Sequence, residues 1–213
     1  MKKLSVLFAG IMSVLTVLLL WACSGDTMKN VSERRSGYFT ATVGGMTVTA
    51  VSGVRETSFD ADGAVSGELK PYTLITVVPD TFDVDAVYTY SAVIGDCKYG
   101  GTLVVHPFAA SYSAELDVEA VGAFTVTVQS GSSSVEAELR SLVTADMFAY
   151  DRAIDAAENE LKPRGDYEIR VRLIKNPLDG EGVCWHVTFI SADGEGGVLL
   201  DPITAKVLAK RTE

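Results

Sequence analysis

Short apolar runs without helical segments between them fill residues 38–139 and constrain the fold more than any other feature. The runs are rich in Val, Thr, Tyr and Phe, and Gly, Asp, Pro and Ser separate them. Residues 38–43 and 46–51 flank Gly44-Gly45, which is typical of a tight hairpin. Six further runs follow at residues 72–78, 84–93, 102–106, 112–118, 124–129 and 135–139. This spacing predicts an antiparallel sandwich or barrel, and we favour an all-β sandwich over residues 38–140.

Part of this region is similar to a known type of β domain. DAVYTY (residues 85–90) followed by GGTLVV (residues 100–105) is similar to the last two strands of immunoglobulin-type domains. Tyr90 stands where that family carries a disulfide cysteine, and no tryptophan occurs between Trp21 and Trp185. The resemblance implies an immunoglobulin-like sandwich and no particular function.

The apolar periodicity changes after Arg140. Apolar residues then recur every three or four positions, as on one face of an α-helix; they are Met147, Tyr150, Ile154, Ala157 and Leu161. Thr144 is a suitable N-cap, and Pro163 with Gly165 would end the segment. We expect an amphipathic helix of about 18 residues, starting at Thr144.

Alternating patterns after the helix predict three or four strands. Residues 167–173 and 183–189 alternate apolar with polar side chains, a glycine-rich turn covers residues 193–197, and a short apolar run follows at 198–200. Each strand has one apolar face, which the helix can cover. We therefore expect a second, α+β domain at residues 141–213, with Trp185 in its core and His186 on the opposite face.

This C-terminal pattern resembles the PepSY domain and its PepSY-like relatives. The matching residues are Trp185-His186-Val187, the glycine-rich turn, and VLLDPITAKVL at residues 198–208. The family carries a W-x-V strand and ends in a D-x-x-T-G-K-V-L type hairpin, and here Ala205 replaces the glycine. The likeness covers residues 144–210. It implies an inhibitory, chaperoning or ligand-sensing module of secreted and envelope proteins rather than an enzyme.

The N-terminus has the order of a secretory signal. Lys2 and Lys3 precede an uncharged apolar run over residues 4–22, and Cys23 follows Ala22. A cysteine after a small residue resembles the lipobox of bacterial lipoproteins, in which that cysteine is acylated. Ser24 after it resembles an outer-membrane address. The alternative is a transmembrane helix that keeps Cys23 unmodified, because residues 4–22 are long enough to span a bilayer.

These observations predict four segments and a location. They are a signal peptide at residues 1–22, a lipidated tether at 23–37, the β-sandwich at 38–140 and the αβββ domain at 141–213. Cleavage before Cys23 removes two of 18 basic residues and no acid, which leaves 16 against 28 and a net charge of −12. Such a surface repels nucleic acid. We expect a protein held by lipid at the outer membrane of the cell envelope, facing the periplasm or the exterior.

Two cysteines, Cys97 and Cys184, remain after lipidation of Cys23. They could pair in an oxidising compartment, although two separate buried thiols are the more ordinary state. No C-x-x-C motif or Cys/His cluster is present.

No catalytic motif, metal-ligand set or cofactor motif occurs in the sequence. His106 and His186 are isolated on strands and are expected to be ordinary histidines. Asp60 and Asp62 resemble the start of a calcium loop, but Val65 stands where an EF-hand needs glycine. We expect a non-catalytic binding module for an unidentified protein or glycan. An envelope hydrolase with scattered site residues, or a structural surface component that assembles through strand edges, are the alternatives.

Overall fold

A computed structural model describes residues 27–57 and 61–212. One sheet of 13 strands runs through it, with one α-helix. The strands of the first part are β1 (Val31–Val43), β2 (Met46–Glu56), β3 (Leu69–Pro79), β4 (Thr89–Ile94), β5 (Cys97–Thr102), β6 (Val104–Val105), β7 (Tyr112–Leu116), β8 (Phe124–Ser130) and β9 (Ser133–Ser141). The second part has α1 (Tyr150–Leu161), β10 (Glu168–Lys175), β11 (Val183–Ser191), β12 (Gly194–Leu200) and β13 (Val207–Thr212). A short 3-10 helix, Met28–Asn30, precedes β1.

The first nine strands form a nearly closed antiparallel barrel. Their order is β6-β7-β3-β2-β1-β9-β8-β4-β5, and β9 joins β1 through the pairs Phe39↔Ser141 and Thr40↔Arg140. Apolar side chains fill the interior, where the rings of Phe39 and Phe124 lie 5.3 Å apart. The interior is therefore a packed core, as expected for a barrel of this size.

The other four strands extend the same sheet beyond the barrel. β10 pairs in parallel with the first part of β1, and β11, β12 and β13 follow in antiparallel order. Helix α1 buries Ala153, Ile154 and Ala157 against one face of this extension. Trp185 is 4% exposed in the same core and donates its indole N–H to the carbonyl of Phe148 at 3.2 Å. The predicted position of Trp185 is confirmed.

The predicted fold class is wrong. Instead of an immunoglobulin-like sandwich joined to a separate α+β domain, the chain forms a barrel and an extension within one sheet. β1 is the reason, because its 13 residues pair with β10 at one end and β9 at the other. The flexible tether was expected to reach residue 37, but β1 starts at Val31, and Val31, Ser32 and Glu33 are buried. The polar composition of this segment concealed a strand.

The helix is shorter than predicted. It begins at Tyr150 with Ala149 as the N-cap residue, and Thr144 instead hydrogen-bonds Asp146 ahead of the helix. It ends at Leu161, and Lys162 adopts the left-handed conformation that commonly terminates helices. Ala205, at the position where the PepSY-type hairpin has glycine, has φ 61°.

Some predictions concern residues that lie outside the described ranges. These are the signal peptide, the lipidation of Cys23 and the alternative membrane span at residues 4–22. Within the described ranges, no helix has the length and apolar character needed to cross a membrane. The thiols of Cys97 and Cys184 are free; Cys184 is buried, whereas Cys97 is exposed on β5, contrary to the expected pair of buried thiols.

Candidate binding site on the arginine face

Five of the chain's nine arginines lie on the face of the sheet opposite α1, although the chain has a net charge of −10. We call this surface the arginine face. Its arginines are Arg35 on β1, Arg55 on β2, Arg170 and Arg172 on β10, and Arg211 on β13. Strand register places them together: Glu33 is opposite both Arg55 and Arg170, and Arg35 is opposite Arg172. Directly opposed residues project to the same side of a sheet.

A buried carboxylate, Glu33, holds the centre of the arginine face. Its Oε2 accepts a 2.5 Å hydrogen bond from Nε of Arg172, and its Oε1 lies 3.3 Å from a guanidinium nitrogen of Arg35. The hydroxyl of Tyr72 donates to Oε1 at 2.6 Å, and Nε of Arg35 donates to that hydroxyl at 3.1 Å. The side chain of Glu33 is only 2% exposed. One carboxylate thus joins strands β1, β3 and β10.

The charges around Glu33 decide its ionisation. Burial acts to raise the pKa of Glu33, but Arg172, Arg35 and the Tyr72 hydrogen bond together hold the pKa below its ordinary value. Burial and the neighbouring Glu33 carboxylate raise the pKa of Tyr72 to about 12. At neutral pH the cluster therefore contains one carboxylate, two guanidinium groups and a neutral phenol.

A second buried acid, Glu168, lies at one end of the face. Its Oε1 is 2.8 Å from a guanidinium nitrogen of Arg170. Burial outweighs the attraction of Arg170 and raises the pKa of Glu168, with the Glu56 carboxylate contributing in the same direction. Glu56 is itself buried and accepts hydrogen bonds from the backbone N–H groups of Ser66 and Gly67. These bonds hold Ser66 and Gly67, just before β3, against Glu56 at this end.

A pocket of about 400 Å³ opens on the other side of Arg172, over β10–β13. Its lining residues are Ile174, Pro177, His186, Glu195, Gly197, Val198, Leu199, Ala209, Lys210 and Arg211. Its volume lies within the roughly 300–1,000 Å³ that is usual for small-molecule sites. The lining is apolar toward Ile174 and Leu199 and polar toward His186 and Arg211.

Gly197 creates the polar half of the pocket. A Cβ atom added there would lie 3.3 Å from Nε2 of His186 and 3.8 Å from the hydroxyl of Thr188. Gly197 is directly opposite both Thr188 on β11 and Arg211 on β13. The space above Gly197 is therefore surrounded by a histidine, a threonine hydroxyl and an arginine.

His186 is the one sequence candidate that reaches this pocket. Its Nε2 lies 3.3 Å from the Thr188 hydroxyl, within hydrogen-bonding distance. Burial lowers the pKa of His186; Arg172 and Arg35 lower it further, and Glu195 opposes them. His186 is therefore a neutral hydrogen-bonding group at neutral pH.

The other sequence candidates lie away from the pocket. His106 directly follows β6, just before a turn, and its ring centroid lies 6.5 Å from that of Phe108. Asp62 accepts a hydrogen bond from the backbone of Ala64 in a local turn, and Asp60 is outside the described residues. In residues 27–57 and 61–212, no group of three or more His, Cys, Asp or Glu side chains is placed to hold a metal ion.

The sequence did not reveal the residues that build the site. The sequence pattern places Glu33 and Arg35 in the tether and Gly197 in a turn, whereas the structure places them within strands β1 and β12. The cluster of five arginines on one face follows from strand pairing across the chain, which no local motif encodes. No protein-family model, curated protein or solved structure matches this chain significantly.

Proposed function

We propose that the protein is a non-catalytic binding module of the bacterial cell envelope, anchored at the outer membrane by lipid on Cys23. The observation that supports binding is the pocket beside His186, which combines an apolar floor with a few convergent polar groups. The resemblance of residues 144–210 to PepSY-type modules adds to the proposal. The pocket lies in that part of the chain.

The polar groups around the pocket suit binding better than catalysis. Glu33 is engaged by Arg172, Arg35 and Tyr72, so its carboxylate holds a neighbouring arginine in place outside the pocket, and Glu195 is the one acid that lines the pocket. The hydroxyl of Thr188 is buried and next to His186. A rigid rim of this kind orients a ligand at low entropic cost.

A ligand screen on paired variants tests the binding proposal. Gly197→Val places a strand-compatible side chain in the polar half of the pocket, where the added Cβ has neighbours no closer than 3.3 Å. Gly101→Val is the matched control, because Gly101 lies on the exposed strand β5 and has no neighbour closer than 3.5 Å. We expect some small molecules to raise the melting temperature of wild type and of Gly101→Val but not that of Gly197→Val. A chemically diverse collection that yields no such molecule would contradict the proposal.

Lipid anchoring has its own test. Cys23→Ser should abolish incorporation of a clickable fatty acid and leave an uncleaved precursor, because the lipobox cysteine is the residue that carries the lipid. Unchanged labelling and size would rule out the lipobox and favour the alternative membrane span.

A further inference from the structure

We infer that the ligand of the pocket is a small amphiphile with an apolar body and a single anionic head group of the carboxylate type. The inference rests on the proposed function and names the chemistry of its ligand. It comes from the arrangement of the apolar and the cationic lining residues around Gly197.

The apolar half of the pocket fits the body of such a molecule. Ile174, Leu199 and Ala209 come from three different strands, β10, β12 and β13, and Pro177 borders them from the loop after β10. His186 is directly opposite Leu199, and Leu199 is directly opposite Ala209. These three residues therefore form a row across the sheet that runs from a polar side chain to apolar ones. Burial of an apolar chain on this floor stabilises the complex in proportion to the apolar area removed from water.

The polar half fits an anion. A head group above Gly197 would reach Nε2 of His186 and the hydroxyl of Thr188, with Arg211 on the neighbouring strand. Arg211 can donate hydrogen bonds to the head group, and so can the Thr188 hydroxyl when Nε2 of His186 donates to Thr188; a carboxylate accepts several at once. The space is open only because residue 197 has no side chain.

Charge distinguishes an anion from a cation here. Glu195 is the only acid in the pocket lining, whereas Arg211 lines it and Arg172 acts on His186 from β10. Lys210 also lines the pocket and forms a solvent-exposed pair with Glu160 of α1 at 2.7 Å. Arg172 is itself paired with Glu33. The lining alone carries two basic side chains against one acid, which favours a negative head group over a cation.

Calorimetric titration of the mature chain with three ligands of equal chain length tests the inference. The ligands are decanoate and decylamine below their micellar concentrations and decan-1-ol below its solubility limit. We expect decanoate to bind about tenfold more tightly than either of the others, since charge-assisted hydrogen bonds are roughly twice as strong as neutral ones. Arg211→Gln should weaken the binding of decanoate about five- to tenfold and leave the binding of decan-1-ol unchanged. Glu195→Gln should strengthen the binding of decanoate.

The outcomes separate the inference from the proposed function. If decan-1-ol or decylamine binds as tightly as decanoate and Gly197→Val abolishes the binding, the pocket is a binding site and the anionic head group is wrong. If none of the three ligands binds wild type, the inference is overturned, and the diverse screen above decides the proposed function independently. Gly101→Val should bind decanoate as wild type does.

Discussion

The hydroxyl of Tyr72 on β3 reaches across β2 and donates a 2.6 Å hydrogen bond to Glu33 on β1. Gly53 lies between them: it is directly opposite Tyr72 on one side and Arg35 on the other. Because Gly53 has no side chain, the β1 backbone at Arg34 and Arg35 can approach the intervening strand closely. The same carboxylate accepts a hydrogen bond from Arg172 on β10, so Glu33 connects the barrel and the extension through a polar contact as well as through the backbone of β1.

Gly53→Ala should destabilise the protein strongly. An added Cβ would collide with the carbonyl oxygen of Arg34 and lie 2.7 Å from Cα of Arg35, and both are backbone atoms that cannot rotate away. Overpacking costs about 1–3 kcal/mol and occasionally more, so we expect about 3 kcal/mol in urea denaturation. Gly101→Ala, on exposed β5, should change stability by less than about 0.5 kcal/mol. Equal effects of the two substitutions would show that β1 and β2 are not closely apposed at Gly53.

Glu33→Gln should cost about 2–3 kcal/mol at pH 7. Removing one partner of a buried ion pair typically costs about 3–5 kcal/mol, but the side chains of Arg35 and Arg172 are 22% and 23% exposed, so water partly compensates them. Tyr72→Phe, which removes only the hydroxyl, should cost about 1 kcal/mol.

The effect of Glu33→Gln should depend on pH. The pKa of Glu33 is lowered in the folded state, so its stabilising contribution is complete above the ordinary pKa of 4.5 and is lost as the pH falls through the folded value. The difference in unfolding free energy between wild type and Glu33→Gln should therefore be large at pH 7 and shrink below about pH 4.5. A difference that is constant between pH 7 and pH 3 would contradict the ion-pair arrangement.

The local sequence pattern was sufficient to predict a strand and the orientation of its side chains where one face of the strand is apolar. The hairpin at Gly44-Gly45 is present, and both glycines have positive φ (59° and 77°), as the two-glycine turn predicted. The orientation of Trp185 followed from alternation alone. In both cases neighbouring residues carry the information.

The start of β1 could not be predicted in this way. Ser32 to Ser36 is a continuous polar run, and its strand conformation depends on partners such as Arg172, which is 139 positions from Glu33. Closure into a barrel depends on only two residue pairs between β1 and β9, which no local periodicity specifies. The pocket was missed for the same reason, because Gly197 is significant only through its neighbours on β11 and β13.

The melting temperature should depend on His186 in mildly acidic solution. The pKa of His186 is lowered by burial and by Arg172 and Arg35 against Glu195, so the unfolded chain takes up the proton first as the pH falls. Stability is therefore lost as the pH falls from the ordinary pKa of 6.5 toward the folded value. His186→Gln should reduce the loss of melting temperature between pH 7.5 and pH 5.5. An identical pH dependence in both proteins would show that His186 is solvated.

The fragment at residues 139–213 should be poorly folded in isolation. It lacks Val31, which packs in the core beside α1, and the β1 backbone that pairs with β10. Its unpaired β10 edge would also lose the Glu33 carboxylate that neutralises Arg172. Circular dichroism and amide NMR dispersion should show little fixed structure, with partial recovery when a peptide of residues 27–37 is added. Cooperative melting of the fragment alone would instead support an independent domain beginning at residue 141.

Trp185→Ala should remove most of the stability of the extension. The side chain is buried among the residues that contact α1, and its indole N–H satisfies the carbonyl of Phe148. Truncation of a buried aromatic residue typically costs about 3–5 kcal/mol, which is a large part of the total for a small protein. Trp185→Phe retains most of the packing and loses the hydrogen bond, so it should cost less than Trp185→Ala by at least about 1 kcal/mol.

His186→Ala, one residue along β11 on the arginine face, should change stability by less than about 1 kcal/mol. Hydrogen exchange of β11 and β12 amides measures these effects locally, and unchanged protection in Trp185→Ala would mean that α1 is held to the sheet by other contacts.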